Sequence, residues 1–69
     1  MRREQPYRGV FTKADGTRVG LDFYADNRDL ALDHADHVAT GAGLEVVEVR
    51  RLGSYEVFEA GSFYPVPRA

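Results

Sequence analysis

Sixty-nine residues without a single cysteine leave a chain only packing, or a partner, to hold it folded. A domain of this size buries about 60% of the surface that its unfolded chain exposes, so its net stability sits at the low end of the usual few kcal/mol. Disulfides and thiolate zinc sites, two common staples of small scaffolds, are excluded by composition. There is room for one core, so the expectation is a single domain over residues 1–69, with 1–5 and 61–69 as extended tails. The lack of cysteine fits a reducing compartment. No apolar run approaches the roughly 20 residues that span a bilayer, and Met1-Arg2-Arg3-Glu4 leads into no hydrophobic signal core. The expected location is therefore cytoplasmic, with no membrane partner.

Residues 7–12 and 18–24 are rich in aromatic and β-branched side chains and flank Lys13-Ala14-Asp15-Gly16-Thr17, the composition of a hairpin turn. A two-residue Asp15-Gly16 loop would set Arg8 opposite Phe23 and mix charge into the apolar row. A three-residue loop with Gly16 in the left-handed conformation instead aligns Phe11 with Val19, Gly9 with Leu21 and Tyr7 with Phe23. This second register gathers the apolar side chains on one face and places Arg8 opposite Asp22 on the other. Asp26 reads as a helix N-cap, with Asp29 in the first turn complementing the helix dipole. The helix is predicted over 27–40, with Gly41 and Gly43 as its stop. At 100° per residue Ala31, Ala35, Val38 and Ala39 form the stripe that faces the sheet, with Leu32 at its edge.

Residues 44–52 and 55–60 read as a second hairpin around Gly53-Ser54, with Val49 opposite Tyr55 and Val47 opposite Val57. The fold class that results is α+β, a ββαββ order with one helix packed on a four-stranded antiparallel sheet. Val46 and Phe58 then fall on the face away from the helix, beside Val10 and Tyr24, which is more apolar than a solvated face should be. Residues 63–67 would cover that patch as a fifth short edge strand limited by Pro65 and Pro67.

The net charge is -2, which argues against a general affinity for nucleic acid, but it is unevenly spread. Residues 25–40 hold four aspartates and one arginine, and the rest of the chain carries a small positive excess. Asp26, Asp29, Asp33 and Asp36, spaced three, four and three apart, fall in one stripe about a quarter-turn wide, with Leu30, His34 and His37 beside it. As a docking surface this stripe would take a basic partner; as an ordinary solvated helix face it would take none. Asp33 and His37, with Asp29 or His34, have a metal-ligand spacing, but an Asp-His hydrogen bond on one helix explains the pattern better, so no metal and no cofactor is expected.

A nucleophilic enzyme would need Ser54 or Ser62 within reach of His34 or His37, and no nucleophile motif surrounds either serine. Gly41-Ala42-Gly43 follows a helix and precedes a strand, the reverse of a dinucleotide fingerprint. The expectation is a protein that is not an enzyme. Arg2, Arg3, Arg8, Arg50 and Arg51, with Tyr7, Tyr24 and Phe58, would make a stacking surface for single-stranded nucleic acid on the open sheet face, against which stand Asp22, Glu48 and Glu56 on the same face.

From residue 18 to 59 the succession of strand 19–24, helix 26–40 and hairpin 44–60 resembles small phage and mobile-element proteins that inhibit host defence, in particular anti-CRISPR proteins built from one helix on an antiparallel sheet. The resemblance implies a non-enzymatic inhibitor that binds a large nucleic-acid-binding effector complex through acidic residues set where target DNA or guide RNA would run. Asp26, Asp29, Asp33 and Asp36 are the matching residues; Arg50 and Arg51 depart from simple mimicry.

The expected function is thus a protein-binding module that engages a basic surface through Asp26, Asp29, Leu30, Asp33, Asp36 and His37. The alternatives are a homodimeric structural or assembly protein joined through the open sheet face or the 63–67 edge, and a small nucleic-acid-binding domain. Both would use the patch of Val10, Tyr24, Val46, Phe58 and Arg50.

Overall fold

The structure, a computed structural model that describes residues 4–59 and 62–67, is a small α+β domain with one helix on a four-stranded antiparallel sheet. Its elements are β1 (Gln5–Thr12), β2 (Arg18–Ala25), α1 (Arg28–Ala42), β3 (Glu45–Arg51) and β4 (Tyr64–Pro65). The strand order is β3-β1-β2-β4, so β1 is central and the two late strands close onto opposite sides of the first hairpin.

That hairpin has the register its alternation requires: Phe11 pairs with Val19, Gly9 with Leu21, Tyr7 with Phe23 and Arg8 with Asp22. The turn closes through the Lys13 N–H to Thr17 C=O and Gly16 N–H to Lys13 C=O bonds. Gly16 supplies the positive φ of 90° that a side chain would resist. Asp15 accepts the Thr17 amide at 2.9 Å, which ties the loop from its other side.

Helix α1 begins one residue later than expected. Ala25 still belongs to β2, so Asp26 sits in the bend, and Asn27 is the N-cap, its side chain accepting the Leu30 amide at 2.9 Å. The two residues are equivalent as caps; what selects Asn27 is the length of β2. The helix also runs past Gly41 to Ala42, and Gly43 alone stops it, in the left-handed region at φ 71°. The amides of Gly43 and Leu44 both return to the Ala39 carbonyl, a closure that leaves Leu44 packed on the core.

The core lies between α1 and one face of the sheet. Ala31, Ala35 and Ala39 are buried against Tyr7, Phe11, Val19, Phe23 and Val49, with Leu21, Val38 and Leu44 packed around them. Leu32, at the edge of the stripe, is exposed. Alanine on the inner face lets the helix axis come close, and it lies chiefly over β3. A Cβ on Gly9 would stand 2.9 Å from the Phe11 ring; the hydrogen at this position makes the space in which Phe11, the one large side chain fully buried among the described residues, is seated.

The second hairpin does not form. β3 pairs with β1 (Tyr7 with Arg51, Gly9 with Val49) instead of folding back on residues 55–60, of which residue 60 lies outside the described residues. Residues 54–56 make a turn, and the fourth strand is Tyr64–Pro65, paired with β2 through Gly20 and Val19. The inner side of β3 is occupied by the central strand as far as Leu52, whose amide bonds to the Pro6 carbonyl. Residues 56–59 are held instead by Arg8 and Asp22 on the far face of the sheet. A register shift between Val10 and Phe11 then sets Val46 opposite Phe11, on the helix side of the sheet, and both Val46 and Val47 are exposed.

Candidate protein-binding site

The outer face of α1 follows from its inner one. With Ala31, Ala35 and Ala39 fixed against the sheet, a rotation of 100° per residue carries Asp29, Asp33 and Asp36 to the opposite side, within about 60° of one another. All three are exposed, and among the described residues none of them has a hydrogen bond or an ion pair. Their Cβ atoms lie at the about 5–6 Å spacing of residues three or four apart, so the carboxylates present one compact negative surface. Leu30 and His37 are exposed beside them. Asp26 is different: it precedes the helix, is half-buried and is already engaged. The stripe therefore has three free carboxylates, and Asp26 is not part of it.

His34, expected beside the aspartates, turns toward the sheet, its ring 4.7 Å from the Phe23 ring. Among the described residues no group of three or more histidine, aspartate or glutamate side chains comes together as a metal site. Neither Ser54 nor Ser62 has a side-chain hydrogen bond to a histidine among the described residues. No helix among them is long and apolar enough to cross a membrane.

The other face of the sheet is not open. Residues 53–59 and 62–67 lie across it as a strap, held by a polar network centred on Asp22. This carboxylate, wholly buried, accepts two bonds of 2.9 Å from the Arg8 guanidinium, one of 2.8 Å from the Glu59 amide, and one from the Tyr64 hydroxyl. Burial alone would raise the Asp22 carboxyl, but Arg8, the Glu59 amide and the Tyr64 hydroxyl together hold it below the usual carboxylate range. Burial and the bond to Asp22 push Tyr64 up to about 12. Arg8 also donates to the Val57 carbonyl at 3.0 Å and to Glu56 at 3.3 Å. Glu56 in turn takes both ends of the Arg50 guanidinium, one bond at 2.6 Å, and the Gly53 amide at 2.8 Å. The Arg50 bond and the Gly53 amide pull Glu56 down to about 2.

The network redistributes the residues expected on this face. Val10 is buried, in a groove it shares with the strap residues Tyr64, Pro65 and Val66. Tyr24 and Phe58 stack on each other at 4.6 Å, and Arg50 is consumed by Glu56 and Glu48. Val46 is not beside Tyr24: their partners on β1, Phe11 and Pro6, are separated by about 17 Å of strand. Tyr7 is buried in the core on the helix side, and Arg2 and Arg3 lie outside the described residues. Of the five-residue patch, Val10, Tyr24, Phe58 and Arg50 thus stay on the far face and Val46 leaves it, while Tyr7 is withdrawn from the aromatic platform into the core.

Sequence reasoning reached the Arg8–Asp22 pair and set Glu56 on the same face, but missed the bonds of Glu56 to Arg8 and Arg50 and missed Tyr64, which convert the pair into a buried centre. The available signal was Gly20. A side chain there would have its Cβ 2.7 Å from the Tyr64 ring, and a glycine in a strand is a mark of close approach by another chain segment. No family model, no curated protein and no solved structure shows significant similarity to the chain.

Proposed function

We propose that this chain is a non-enzymatic protein-binding module that docks on the basic surface of a partner through Asp29, Asp33 and Asp36, with Leu30 and His37 at the margin of the contact. The observation that carries the reading is that these three carboxylates are exposed and uncompensated within the described residues, whereas the acidic groups on the far face, Asp22 and Glu56, are bound by arginines. Like charges at this spacing disfavour the isolated helix by a few tenths of a kcal/mol per pair, a cost that a cationic partner removes. A row of carboxylates also suits a surface built to hold phosphates, so a nucleic-acid-handling complex is the partner class that fits, and inhibition of a host-defence complex is one form of that role.

The test is capture from the native cell with two baits, the wild-type chain and the Asp29→Asn/Asp33→Asn/Asp36→Asn variant, with thermal melts to confirm that both are folded. At about 0.2–1 kcal/mol for each exposed charge pair, the triple variant should bind a partner about threefold to a hundredfold more weakly at low salt. A partner retained equally by both baits would remove the acidic face from the reading.

A further inference from the structure

One helix does not cover four strands. Adjacent strands lie about 4.8 Å apart, and a helix with its side chains is about 10 Å across. Because α1 lies chiefly over β3, β4 and the near end of β2 have no helix above them. Beside the C-terminal end of α1 this leaves a cavity of about 510 Å³. Its apolar wall is made by Val19, Leu44, Phe63 and Pro65. Val19 and Leu44 belong to the core layer, Pro65 stands opposite Val19 on β4, and the Phe63 ring meets the Phe11 ring edge-on at 6.0 Å. Phe63 is 41% exposed, so part of its ring surface remains open to a ligand.

The charge at this cavity has one sign. Lys13 and Arg18 line it, and no carboxylate among the described residues does. When the alternation of the first hairpin is continued past Phe11 and Val19, Lys13 and Thr17 fall on the helix side, whereas Arg18 belongs to the far face. Lys13 has no ion pair with Asp15, Glu45 or any other acid among the described residues. Asp15 gives its carboxylate to the Thr17 amide instead. On the wall formed by Ala42 the helix ends, and its terminal carbonyls carry partial negative charge. An anion is therefore favoured at the hairpin end of the cavity and an apolar group at the helix end.

We infer that this cavity binds a small monocarboxylic acid with an aromatic or branched aliphatic body. The carboxylate meets the Lys13 ammonium and the Thr17 hydroxyl, and the body lies between Leu44, Phe63 and Pro65. Ligand pockets have volumes of about 300–1,000 Å³, and their lining is mostly apolar with a few polar groups that fix orientation, the pattern found here. The cavity shares no residue with the acidic face of α1, and the inference does not depend on the proposed partner.

Titration of the full chain with phenylpropionate, followed by proton–nitrogen correlation spectra, tests it. Saturable shifts are expected at the amides of Lys13, Thr17, Val19, Leu44 and Tyr64 and not at Asp29 or Asp33, with half-saturation at about 1–10 mM. Phenylpropanol, which has the same body without the charge, should bind about threefold or more weakly, and phenylpropylamine more weakly still. Lys13 is exposed, so Lys13→Gln should leave the fold intact; it should weaken the acid about threefold or more and leave the alcohol unchanged. Phe63→Ala, checked for folding by far-UV circular dichroism, should weaken acid and alcohol alike. Absence of saturable shifts up to about 20 mM overturns the inference. So do shifts centred on other residues, or an acid that binds no better than the alcohol or is indifferent to Lys13→Gln.

Discussion

Asp22→Asn is the substitution to which the fold should respond most sharply. The carboxylate accepts four hydrogen bonds, two on each oxygen, and its side chain is fully buried while that of Arg8 is 18% exposed. An amide has nearly the same shape but only one acceptor oxygen, so two of the four donors would face an NH2 group. With the NH2 at the Oδ1 position the Tyr64 hydroxyl can turn and accept from it, but Arg8 Nε still loses its acceptor; the other rotamer leaves Arg8 Nη2 and the Glu59 amide without one. The guanidinium would also keep its charge with only Glu56 and the Val57 carbonyl to receive it. Removing one member of a buried, hydrogen-bonded ion pair costs about 3–5 kcal/mol, and a domain of 69 residues has about 3–10 kcal/mol in total. Asp22→Asn should therefore take a third or more of the stability, read as the shift of the urea midpoint followed by circular dichroism, with a slope near 1 kcal/mol per molar. Arg8→Met/Asp22→Leu, which removes both charges, should cost less than the two single changes together. The Glu59 amide gives a local reading, since its hydrogen exchange should accelerate in Asp22→Asn beyond what global unfolding explains. A cost below about 1 kcal/mol with unchanged exchange at Glu59 would refute the account of Asp22 as the anchor of the strap.

The glycines separate by what a methyl group would meet. Gly20→Ala puts a Cβ 2.7 Å from the Tyr64 ring and 2.9 Å from Val66 and should destabilise by about 1–3 kcal/mol; in Gly41→Ala the new Cβ meets nothing within 4 Å, and the helix should gain a few tenths to about 1 kcal/mol, so equal effects in thermal melts would contradict the packing described. The strap should loosen at both ends of the pH scale. Glu56, held down at about 2 against an ordinary 4.5, and Asp22, also depressed, stabilise the fold above the ordinary carboxylate range, and that contribution disappears as the pH falls from about 4.5 toward 2. Tyr64, raised from 10.0 to about 12, acts in the other direction, its contribution being complete below pH 10 and lost as the pH rises to about 12. Melting temperature against pH should show both limbs, and Tyr64→Phe should shorten the alkaline one; an unaltered alkaline limb in that variant would exclude Tyr64 as its source.

The first hairpin was legible because a one-residue slip would turn every side chain to the wrong face, so Arg8, Asp22 and the Tyr7–Phe23 row admit a single register. The helix was legible for a similar reason, its alanines and aspartates keeping a 3.6-residue period, and with it the position of Asp29, Asp33 and Asp36. Its start was not, since Asp26 and Asn27 are equally good caps and only the end of β2 decides between them. The path of residues 53–59 and 62–67 was hidden for a different cause. Local hairpin signals are read from neighbours in sequence, whereas Glu56, Glu59 and Tyr64 are placed by bonds to Arg8 and Asp22 that span 37 to 48 positions. Such pairings have no periodicity to betray them.

One consequence of that hidden path bears on the acidic face. In the sequence, Arg50 and Arg51 weigh against a surface that imitates a row of phosphates, because they place positive charge in a chain meant to present negative. In the folded chain Arg8 and Arg50 are directed to Asp22, Glu48 and Glu56 on the far side of the sheet, and Arg28 turns down to the Val49 carbonyl. Arg8 and Arg50 thus stand on the sheet face away from Asp29, Asp33 and Asp36, each bound to carboxylates of that face. The strap does more than cover Val10: by fixing Glu56 and Tyr64 it binds the arginines in place, and the negative potential of the helix is left to act outward, where a partner within about a Debye length, roughly 8–10 Å, would meet it.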